Sequence, residues 1–472
     1  MSEDDLCFRS ATELAADIRA RNLSVREVVQ AHVDQIERVN PRVNAICTFL
    51  PDEALEQAAA ADARLASGDN PGPLYGLPVA IKDLVLTAGI RTTFGSRIYQ
   101  DFVPDRDALV VERLRAAGAI VVGKTNTPEF GAGSQTFNEV FGETLNPYDI
   151  ERTCGGSSGG AAVALATGML PIADGSDLGG SLRNPASFCN VVGFRPSPGR
   201  VPTWPTLHAW SPLSVQGPMA RSVADVALML TALAGPDPRA PIANPQPAER
   251  FAAPLERDFR GVRIAWSRNL GRYPVDPVVT ATVDGQRPAF ESLGCVVEDA
   301  DPDVSGADKI FQVLRAWSFA NLRHADLDQH RDLIKDTVIW NTERGLALSG
   351  PSVADAETQR TELYHRVRTF MEVYEFLVLP VVPVPPFPVG QRWVSEINGV
   401  AMQTYIDWMA LCYAITITGM PAISVPCGFT DAGLPIGVQI VGRHQADFEV
   451  LQLAHAFEAA TQVGKRRPPV ID

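Results

Sequence analysis

Apolar and polar residues follow two periods along this chain, one typical of helices and one typical of buried strands. Between Val25 and Val39 apolar side chains recur every three or four residues, and the capping-box pattern Ser24–Glu27 predicts that a helix begins there and ends at Pro41. Short runs of apolar residues, such as Phe376–Leu379, predict strands that are buried on both faces. Because helices and strands alternate, the predicted fold class is α/β, with a sheet covered by helices on both faces.

The same two periods place the remaining elements. Helices are predicted at 51–67, 108–117, 161–168, 222–233 and 448–461, with a polar helical segment at 308–374, and strands at 79–83, 119–122, 261–266, 422–426 and 436–441. The segment 235–254 is rich in Pro, Ala and Gly, which predicts a linker or a long surface loop. Residues 146–153 are polar and contain a proline, so they are predicted to form a poor strand.

Composition and charge narrow the class of protein. The 472 residues suggest two or three domains by length alone, and the 55 acidic against 41 basic side chains disfavour nucleic acid as a partner. The 7 cysteines are scattered and lack CxxC spacing, so neither a disulfide set nor a zinc site is expected. The acidic first residues do not resemble a secretory signal, and no apolar run is long enough to span a membrane. We therefore expect a cytoplasmic protein with no nucleic-acid and no membrane partner.

Two glycine–serine clusters within Cys154–Ser181 indicate acyl-transfer chemistry. The first cluster carries Ser157 and Ser158, and the second carries Ser181. Glycines beside a serine leave backbone N–H groups exposed, and acyl transfer needs such donors next to a nucleophilic hydroxyl. A single cluster would suggest ordinary turn residues, whereas two clusters make that explanation the weaker one.

Three motifs compete for the chemistry. Gly118–Thr125 satisfies the phosphate-loop pattern G-x-x-x-x-G-K-T, but its middle residues are apolar and β-prone and so form a strand themselves. Gly155–Gly159 fits the G-x-S-x-G nucleophile elbow, which requires a strong strand before it and a histidine base after it. The third interpretation joins Lys82 to Ser157 and Ser181, since a lysine buried among apolar residues can be a neutral base. Alternatively, Lys82 is a strand-end lysine that extends to solvent.

Several blocks of sequence, taken in order, resemble the amidase signature family, whose members use a Ser–cis-Ser–Lys triad. They are Gly76–Asp83, Gly123–Gly131, Gly155–Gly160, Gly175–Arg183 with Pro185–Ala186, Gly217–Val223, Gly419–Pro426 and Gly433–Gln439. The resemblance implies the amidase signature fold, which is a large mixed β-sheet core covered by helices on both faces. It also implies a single amidase domain over residues 1–472, with a signature core at about 70–235 and a variable helical segment at about 305–375.

The resemblance also implies a role for each residue of the site. Ser181 would be the acylated nucleophile, Ser157 the bridging cis-serine and Lys82 the neutral base. The implied oxyanion hole is formed by backbone N–H groups, namely those of Leu178, Gly179, Gly180 and Ser181.

Supporting roles follow from the same resemblance. Asp177 and Arg183 would brace the oxyanion loop, and Ser158 would be a structural turn residue. Two residues depart from the family pattern: Asn190 stands where glycine is usual, and Arg195 where lysine is usual. Both lie beyond the triad, so they bear on local packing and pocket shape rather than on the chemistry.

The implied activity is hydrolysis of the C–N bond of a small amide through an acyl-Ser181 intermediate. No metal and no cofactor is implied, the partner is a small-molecule amide, and a homodimer is one possible assembly. Anilides, carbamates and esters remain open, because the same acyl-enzyme would serve them all. Five aromatic residues lie in segments that could line an apolar pocket: Trp204, Trp210, Trp393, Tyr405 and Trp408.

Two other functions stay open. The family includes the amidase subunit of the tRNA-dependent amidotransferase, which normally carries a Tyr-Asp-Gly-x-Arg-Tyr-Gly motif for glutamine and an aspartate shortly before the G-x-P-A-I-S block. Here residues 318–326 lack that motif, and Met409 stands at the expected aspartate, with Asp407 nearby. The amidotransferase subunit therefore ranks behind a stand-alone hydrolase. A non-catalytic binding protein on the same fold ranks third, because every triad residue is present.

Overall fold

Two β-sheets and the helices around them form the framework of the protein. The computed structural model describes residues 6–68 and 72–471. Numbered in chain order, the strands are β1 (Ile46–Phe49), β2 (Pro78–Lys82), β3 (Ile120–Thr125), β4 (Phe137–Asn138), β5 (Gly142–Glu143), β6 (Leu145–Asn146), β7 (Asp149–Thr153), β8 (Ile172–Asp177), β9 (Val192–Arg195), β10 (Val215–Ala220), β11 (Arg263–Trp266), β12 (Val296–Asp299), β13 (Phe376–Pro380), β14 (Glu396–Ile397), β15 (Val400–Ala401), β16 (Ala422–Phe429) and β17 (Pro435–Gly442).

The α-helices alternate with these strands, as the sequence pattern predicts. In the described chain they span Ala11–Arg19, Val25–Val43, Pro51–Ala66, Leu109–Ala116, Gly159–Ala166, Arg183–Phe188, Val223–Leu233, Pro277–Asp284, Arg287–Ser292, Ala307–His330, Asp336–Leu346, Gly350–Val373, Ala410–Thr416 and Asp447–Thr461. No helix within these described ranges combines the length and the apolar character that crossing a membrane would require.

The larger sheet is mixed. Its eight strands have the order β12-β11-β13-β17-β16-β9-β10-β8. The first three strands run parallel, and each following pair of neighbours is antiparallel. The interior strand β13 is buried along its whole length, which explains its continuous apolar sequence. The α/β class predicted from the sequence is confirmed.

A smaller three-stranded sheet places Lys82 beside β8, the edge strand of the larger sheet. Its order is β1-β3-β2, with β2 parallel to β3 and β1 antiparallel to β3. The backbone N–H of Lys82, the last residue of β2, donates to Asp174 Oδ1 in β8 at 2.8 Å. This contact places the end of β2 beside the strand that leads into the second glycine–serine cluster.

Glycine is required where the helix Gly159–Ala166 crosses the smaller sheet. A Cβ atom on Gly160 would lie 2.4 Å from the backbone nitrogen of Asn126 and 2.7 Å from the carbonyl oxygen of Ala45. No side chain fits at that distance, so the glycine run lets the helix approach the strands closely. The first cluster is thereby held against β3 and β1.

Two segments with ambiguous sequence patterns adopt defined structure. The strand interpretation of Gly118–Thr125 is confirmed, because β3 covers all of it except the first two residues and Lys124 is buried in contact with protein oxygen atoms. The helix that begins at Val25 continues past Pro41 to Val43, so the predicted end at Pro41 is wrong. A proline in the last turn removes a single backbone donor, and Asn40 Oδ1 accepts from the next two free N–H groups, those of Ala45 and Ile46.

The prediction of a poor strand at 146–153 is also wrong. Strand β7 covers Asp149–Thr153 and pairs with β6 in a hairpin. Its middle residues are exposed, so a polar sequence suits it, and the backbone ladder rather than apolar burial defines the strand.

Candidate active site

Both glycine–serine clusters open into one cavity of about 280 Å³. Ser157 lies just before the helix Gly159–Ala166, and Ser181 lies in the turn that follows β8. The backbone N–H of Ser158 donates to the carbonyl oxygen of Ser181 at 3.3 Å, so the two clusters are joined directly. Ser157 and Ser181 are thus brought together in space.

Lys82 lies at the end of β2, and its side chain extends to Ser157 at the wall of this cavity. Its side chain is fully buried, and its Nζ lies 2.8 Å from Ser157 Oγ, 2.8 Å from Ser158 Oγ and 3.0 Å from Ser176 Oγ. The alternative of a strand-end lysine that extends to solvent is therefore wrong. Three hydroxyl groups surround one amine, and one of them belongs to Ser157, which lines the cavity.

The surroundings of Lys82 favour its neutral form. Burial lowers the pKa of Lys82 to about 7, although the carboxylates of Asp174 and Asp177 act in the opposite direction. Burial also raises the pKa of Asp174, whose Oδ2 has no hydrogen-bond partner in the described chain. A lysine with this lowered pKa can be unprotonated near neutral pH, which is the state that a general base needs.

The peptide bond between Gly156 and Ser157 is cis. The Gly156 N–H donates to Asn184 Oδ1 at 3.0 Å. Ser157 itself is 4 % exposed, so its hydroxyl faces the cavity and the lysine rather than bulk solvent.

Asp177 organises the turn that carries Ser181. Its carboxylate accepts from the backbone N–H groups of Gly180 at 2.9 Å and Leu182 at 3.2 Å. Arg183 donates to it twice at 3.0 Å, and Arg195 Nη1 donates to it at 3.2 Å. Burial alone would raise the pKa of Asp177, but the two guanidinium groups hold it well below its usual range.

The backbone N–H groups of the turn do not all face the cavity. Leu178, Gly179 and Ser181 line the cavity, and their N–H groups make no hydrogen bond within the described part of the chain. The Gly180 N–H instead donates to Asp177. Of the four donors that the resemblance implies, Gly180 is therefore engaged by Asp177, because that buried carboxylate requires donors of its own.

The two departures from the family pattern have structural counterparts. Asn190 has a φ of 56°, in the left-handed region where glycine is usual and asparagine is the best-tolerated substitute. Arg195 donates to both the carbonyl oxygen and the carboxylate of Asp177, and also to the carbonyl oxygen of Leu213 at 3.0 Å. Arg195 is thus a second brace for the turn.

The aromatic wall of the cavity is not the one suggested by the sequence. Phe130, Phe311 and Phe319 line it. None of the five aromatic residues that the sequence suggested does so: Trp393, Tyr405 and Trp408 line an adjoining cavity of about 360 Å³, Trp210 is 77 % exposed and Trp204 lies under Arg239. Sequence position alone does not reveal which side of a loop an aromatic ring occupies.

The helix Ala307–His330 supplies much of this wall. A Cβ atom on Gly179 would lie 2.8 Å from the Phe311 ring, so the helix packs directly against the turn before Ser181. Further along the same helix, Arg315, Ser318 and Phe319 also line the cavity. The helical segment thus meets the glycine–serine clusters at the cavity.

Sequence reasoning missed several residues of the site. Ser176 contacts Lys82 and Asp174 receives its backbone N–H, and both lie on β8. Their spacing could have indicated this, because residues two apart in a strand, such as Asp174 and Ser176, lie on the same face. Arg315 and His208, which also line the cavity, carried no local signal. Among the described residues no group of three or more His, Cys, Asp or Glu side chains is arranged to hold a metal ion.

Comparison with known proteins identifies the family of the chain. The family model named Amidase matches residues 27–451. The chain is 36% identical to an acylamidase of Rhodococcus erythropolis, over 99% of this chain and 98% of that protein. It is 37% identical to a glutamyl-tRNA(Gln) amidotransferase subunit of Moorella thermoacetica, over 98% of this chain and 99% of that protein.

A solved structure extends the comparison to the fold. A bacterial aryl acylamidase of the amidase signature family superimposes with a TM-score of 0.90 and 31% identity, covering 98% of this chain and 99% of that one. The match spans both sheets and the helical segment that lines the cavity. The chain therefore belongs to the amidase signature family, and it is an amide-hydrolysing enzyme.

Proposed function

We propose that the enzyme hydrolyses small-molecule amides through an acyl-Ser181 intermediate, with Lys82 as the base and Ser157 as the proton relay. The observation that carries the proposal is the 2.8 Å contact between Lys82 Nζ and Ser157 Oγ in a cavity that Ser181 also lines. A serine hydroxyl needs a base before it can attack a carbonyl, and a buried neutral lysine is such a base.

In the first half-reaction, Ser181 Oγ attacks the amide carbonyl and its proton passes to Ser157. Ser157 in turn gives its own proton to the neutral Lys82 amine, so the net transfer is one proton from Ser181 to Lys82, and the new ammonium balances the charge of the oxyanion. The tetrahedral intermediate collapses as Ser157 gives its proton to the leaving nitrogen and takes one back from the Lys82 ammonium. The C–N bond breaks, and the acyl group remains as an ester on Ser181.

In the second half-reaction, water takes the place of the amine. Lys82 accepts a proton from the water through Ser157, the hydroxide attacks the acyl-Ser181 ester, and the proton is returned to Ser181 Oγ. The products are the carboxylic acid and the free enzyme. The neutral state of Lys82 is required at the start of both halves, which makes its lowered pKa part of the mechanism.

The oxyanion of each intermediate would be held by the N–H groups of Leu178, Gly179 and Ser181. These three residues line the cavity, whereas the Gly180 N–H serves Asp177. In this proposal Asp177, with Arg183 and Arg195, fixes the turn so that the other three donors converge. One such donor contributes about 3 kcal/mol to lowering the barrier in comparable sites.

The walls of the cavity support apolar or aryl amides as substrates. Phe130, Phe311 and Phe319 offer ring surfaces, and no acidic side chain occurs among the described residues that line the cavity. Similarity to an acylamidase and to an aryl acylamidase supports acyl anilides within this class. Carbamates and esters remain within reach of the same acyl-enzyme chemistry.

A second candidate is the amidase subunit of a tRNA-dependent amidotransferase, which the 37% identity to such a subunit favours. Two observations rank it lower. Met409 lines the cavity where that subunit's aspartate is expected, and no carboxylate replaces it there among the described residues. The nearby Asp407 accepts from the backbone N–H groups of Gln403 and Thr404, both at 2.8 Å, so its carboxylate is engaged in a turn.

The wider expectations from the sequence stay part of this proposal. Residues 1–472 would form one amidase domain, with the signature core at about 70–235 and the variable helical segment at about 305–375. The enzyme would act in the cytoplasm on a small-molecule amide, and a homodimer is one possible assembly.

A substrate panel tests the proposal. The purified protein is assayed on para-nitroanilides, aliphatic amides, carbamates and free glutamine, with Ser181→Ala as the control. We expect turnover of anilides and covalent labelling of Ser181 by a fluorophosphonate, both absent in the control. Ammonia release from glutamine that depends on a cell extract, with no anilide turnover, would favour the amidotransferase function instead.

A further inference from the structure

We propose that the enzyme selects amides that carry a carboxylate near the scissile bond, and that Arg315 binds this carboxylate. The inference rests on the proposed amidase function and specifies its substrate class. It follows from one buried guanidinium group that lines the cavity and has no anionic partner among the described residues.

Arg315 is 5 % exposed, and it lines the same cavity as Ser181. Its Nη2 donates to the hydroxyl oxygen of Tyr405 at 2.7 Å. Its Nε has no hydrogen-bond partner in the described chain, and its Nη1 makes no hydrogen bond there. Two donor groups of a permanently charged side chain are therefore left without acceptors.

No carboxylate of the described residues forms an ion pair with Arg315, and none lines this cavity. Arg323 on the same helix differs, because it also lines the cavity but pairs with Asp326 at 3.0 Å. A buried charge without a counter-ion is costly, and burial is tolerated where a ligand supplies the missing charge. Arg315 is therefore poised for an external anion.

The surroundings hold the guanidinium in place. Its central carbon lies 4.7 Å from the Phe319 ring centroid and 5.7 Å from that of Tyr405. Two further basic side chains, Lys335 and Arg392, lie over the Phe137 ring in the adjoining cavity, which Asp336 also lines. A planar fork with free donors matches the geometry of a carboxylate.

The position of Arg315 sets the place of the carboxylate in the substrate. Phe311 packs against Gly179 in the oxyanion loop, and Arg315 lies one helical turn further on the same face. One turn is roughly 5 to 6 Å along the axis. A carboxylate joined to the reacting amide by a short spacer would reach the guanidinium while the carbonyl stays at the oxyanion donors.

Two matched pairs of probes test the inference, one for each side of the scissile bond. Succinyl para-nitroanilide is compared with isocaproyl para-nitroanilide, which replaces the carboxylate with a neutral group of the same shape. On the amine side, meta-acetamidobenzoate is compared with meta-isopropylacetanilide. In at least one pair we expect the wild-type enzyme to favour the carboxylated probe in kcat/KM by about 10- to 100-fold.

The variants R315M and R315Q remove the charge and should abolish that preference. R315Q retains a donor for Tyr405, so it serves if R315M fails to fold, and fluorophosphonate labelling of Ser181 reports a folded site in each variant. R323M is the matched control, since Arg323 already has a partner, and its preference should stay that of the wild type. Equal rates within both pairs, or a preference that persists in R315Q, would overturn the inference. Failure of the proposed function would look different, because neither the neutral probes nor Ser181 labelling would then respond.

Discussion

Lys82 Nζ and Ser157 Oγ lie 2.8 Å apart, although the two residues come from separate elements of the fold. The lysine ends β2, and the serine precedes the helix Gly159–Ala166. The contact depends on the close approach of that helix to the small sheet, which Gly160 permits. The proposed proton path is therefore a product of backbone packing as much as of the two side chains.

Because Lys82 must be neutral to accept a proton, activity should follow its titration. Its pKa is lowered to about 7, so the protonated and inactive form dominates below that pH. We expect kcat/KM to rise about tenfold per pH unit up to about pH 7 and then to level off. Rates on an acyl para-nitroanilide across the pH range measure this, and a flat profile through neutral pH would contradict the assignment.

The variant Lys82→Met should lose activity and also change how stability depends on pH. In the unfolded wild type this lysine is protonated up to its ordinary pKa of 10.5, whereas in the folded state it releases its proton near pH 7. The unfolded state binds the extra proton between these values, so this lysine makes wild-type stability rise with pH in that window. We expect the difference in unfolding free energy between wild type and variant to change by about 1.4 kcal/mol per pH unit.

Equilibrium urea unfolding at several pH values measures that slope. Lys309→Met is the control, because Lys309 is exposed and pairs with Asp355 on the surface. It should leave both the slope and the activity unchanged. A Lys82→Met variant with the wild-type slope would mean that Lys82 keeps its proton in the folded protein.

Ser181→Ala should abolish both turnover and covalent labelling, since the acyl group would have no oxygen to occupy. We expect a loss in kcat of at least about a thousandfold. Intact-mass analysis after exposure to a fluorophosphonate checks the labelling. Continued labelling at the wild-type rate, for example on Ser157, would reverse the roles of the two serines.

Ser157→Ala should be far more damaging than Ser176→Ala, although both hydroxyls contact the same amine. Only Ser157 is proposed to pass a proton between Lys82 and Ser181, and general acid–base transfer contributes about 100- to 10,000-fold to the rate. Ser176 provides a hydrogen bond to Lys82 at 3.0 Å without a place in the relay. Single-turnover acylation rates of the two variants make the comparison, and equal losses would argue against a directional path through Ser157.

Asp177→Asn should destabilise the protein and slow acylation together. The change leaves Arg183 and Arg195 buried with no counter-charge, and breaking a buried ion pair costs about 3–5 kcal/mol. It also weakens the acceptor for the Gly180 N–H, so the cavity-facing donors lose their alignment. Chemical denaturation and acylation kinetics report the two effects.

The matched control for that prediction is Asp258→Asn. Asp258 pairs with Arg260 on an exposed surface, where ion pairs contribute little to stability. We expect this variant to unfold at nearly the wild-type midpoint. Equal destabilisation of the two variants would show that pairing with two buried arginines gives Asp177 no larger contribution to stability than an exposed ion pair gives.

Most strands and helices are predictable from the sequence because their apolar periods are strong and local. Strand β13 is an unbroken apolar run, whereas β7 is polar, exposed and held by its hairpin ladder, so no apolar signal marks it. The helix beginning at Val25 is announced by its capping box, in which Ser24 and Glu27 bond reciprocally.

The site is predictable only in part, because its remaining contacts are long-range. Family resemblance indicates Lys82, Ser157 and Ser181, and the fold brings the two serines to one cavity with Lys82 in contact with Ser157. The resemblance gives no indication that the Gly180 N–H donates to Asp177, since that depends on which way each peptide faces. Arg315 is likewise unpaired because no carboxylate of the described residues lies beside it, and no local sequence pattern can indicate that.

Phe311 packs against Gly179 where the wall of the cavity meets the proposed oxyanion loop, and these two parts of the site come from distant parts of the sequence. The proposed chemistry is encoded between residues 82 and 181, while a wall of the cavity comes from the helix Ala307–His330, far along the sequence. Substitutions on the cavity-facing side of that helix can therefore change which amides the enzyme accepts without altering the residues that transfer protons. An engineer seeking new substrates would therefore begin a library at this helix and leave the glycine–serine clusters intact.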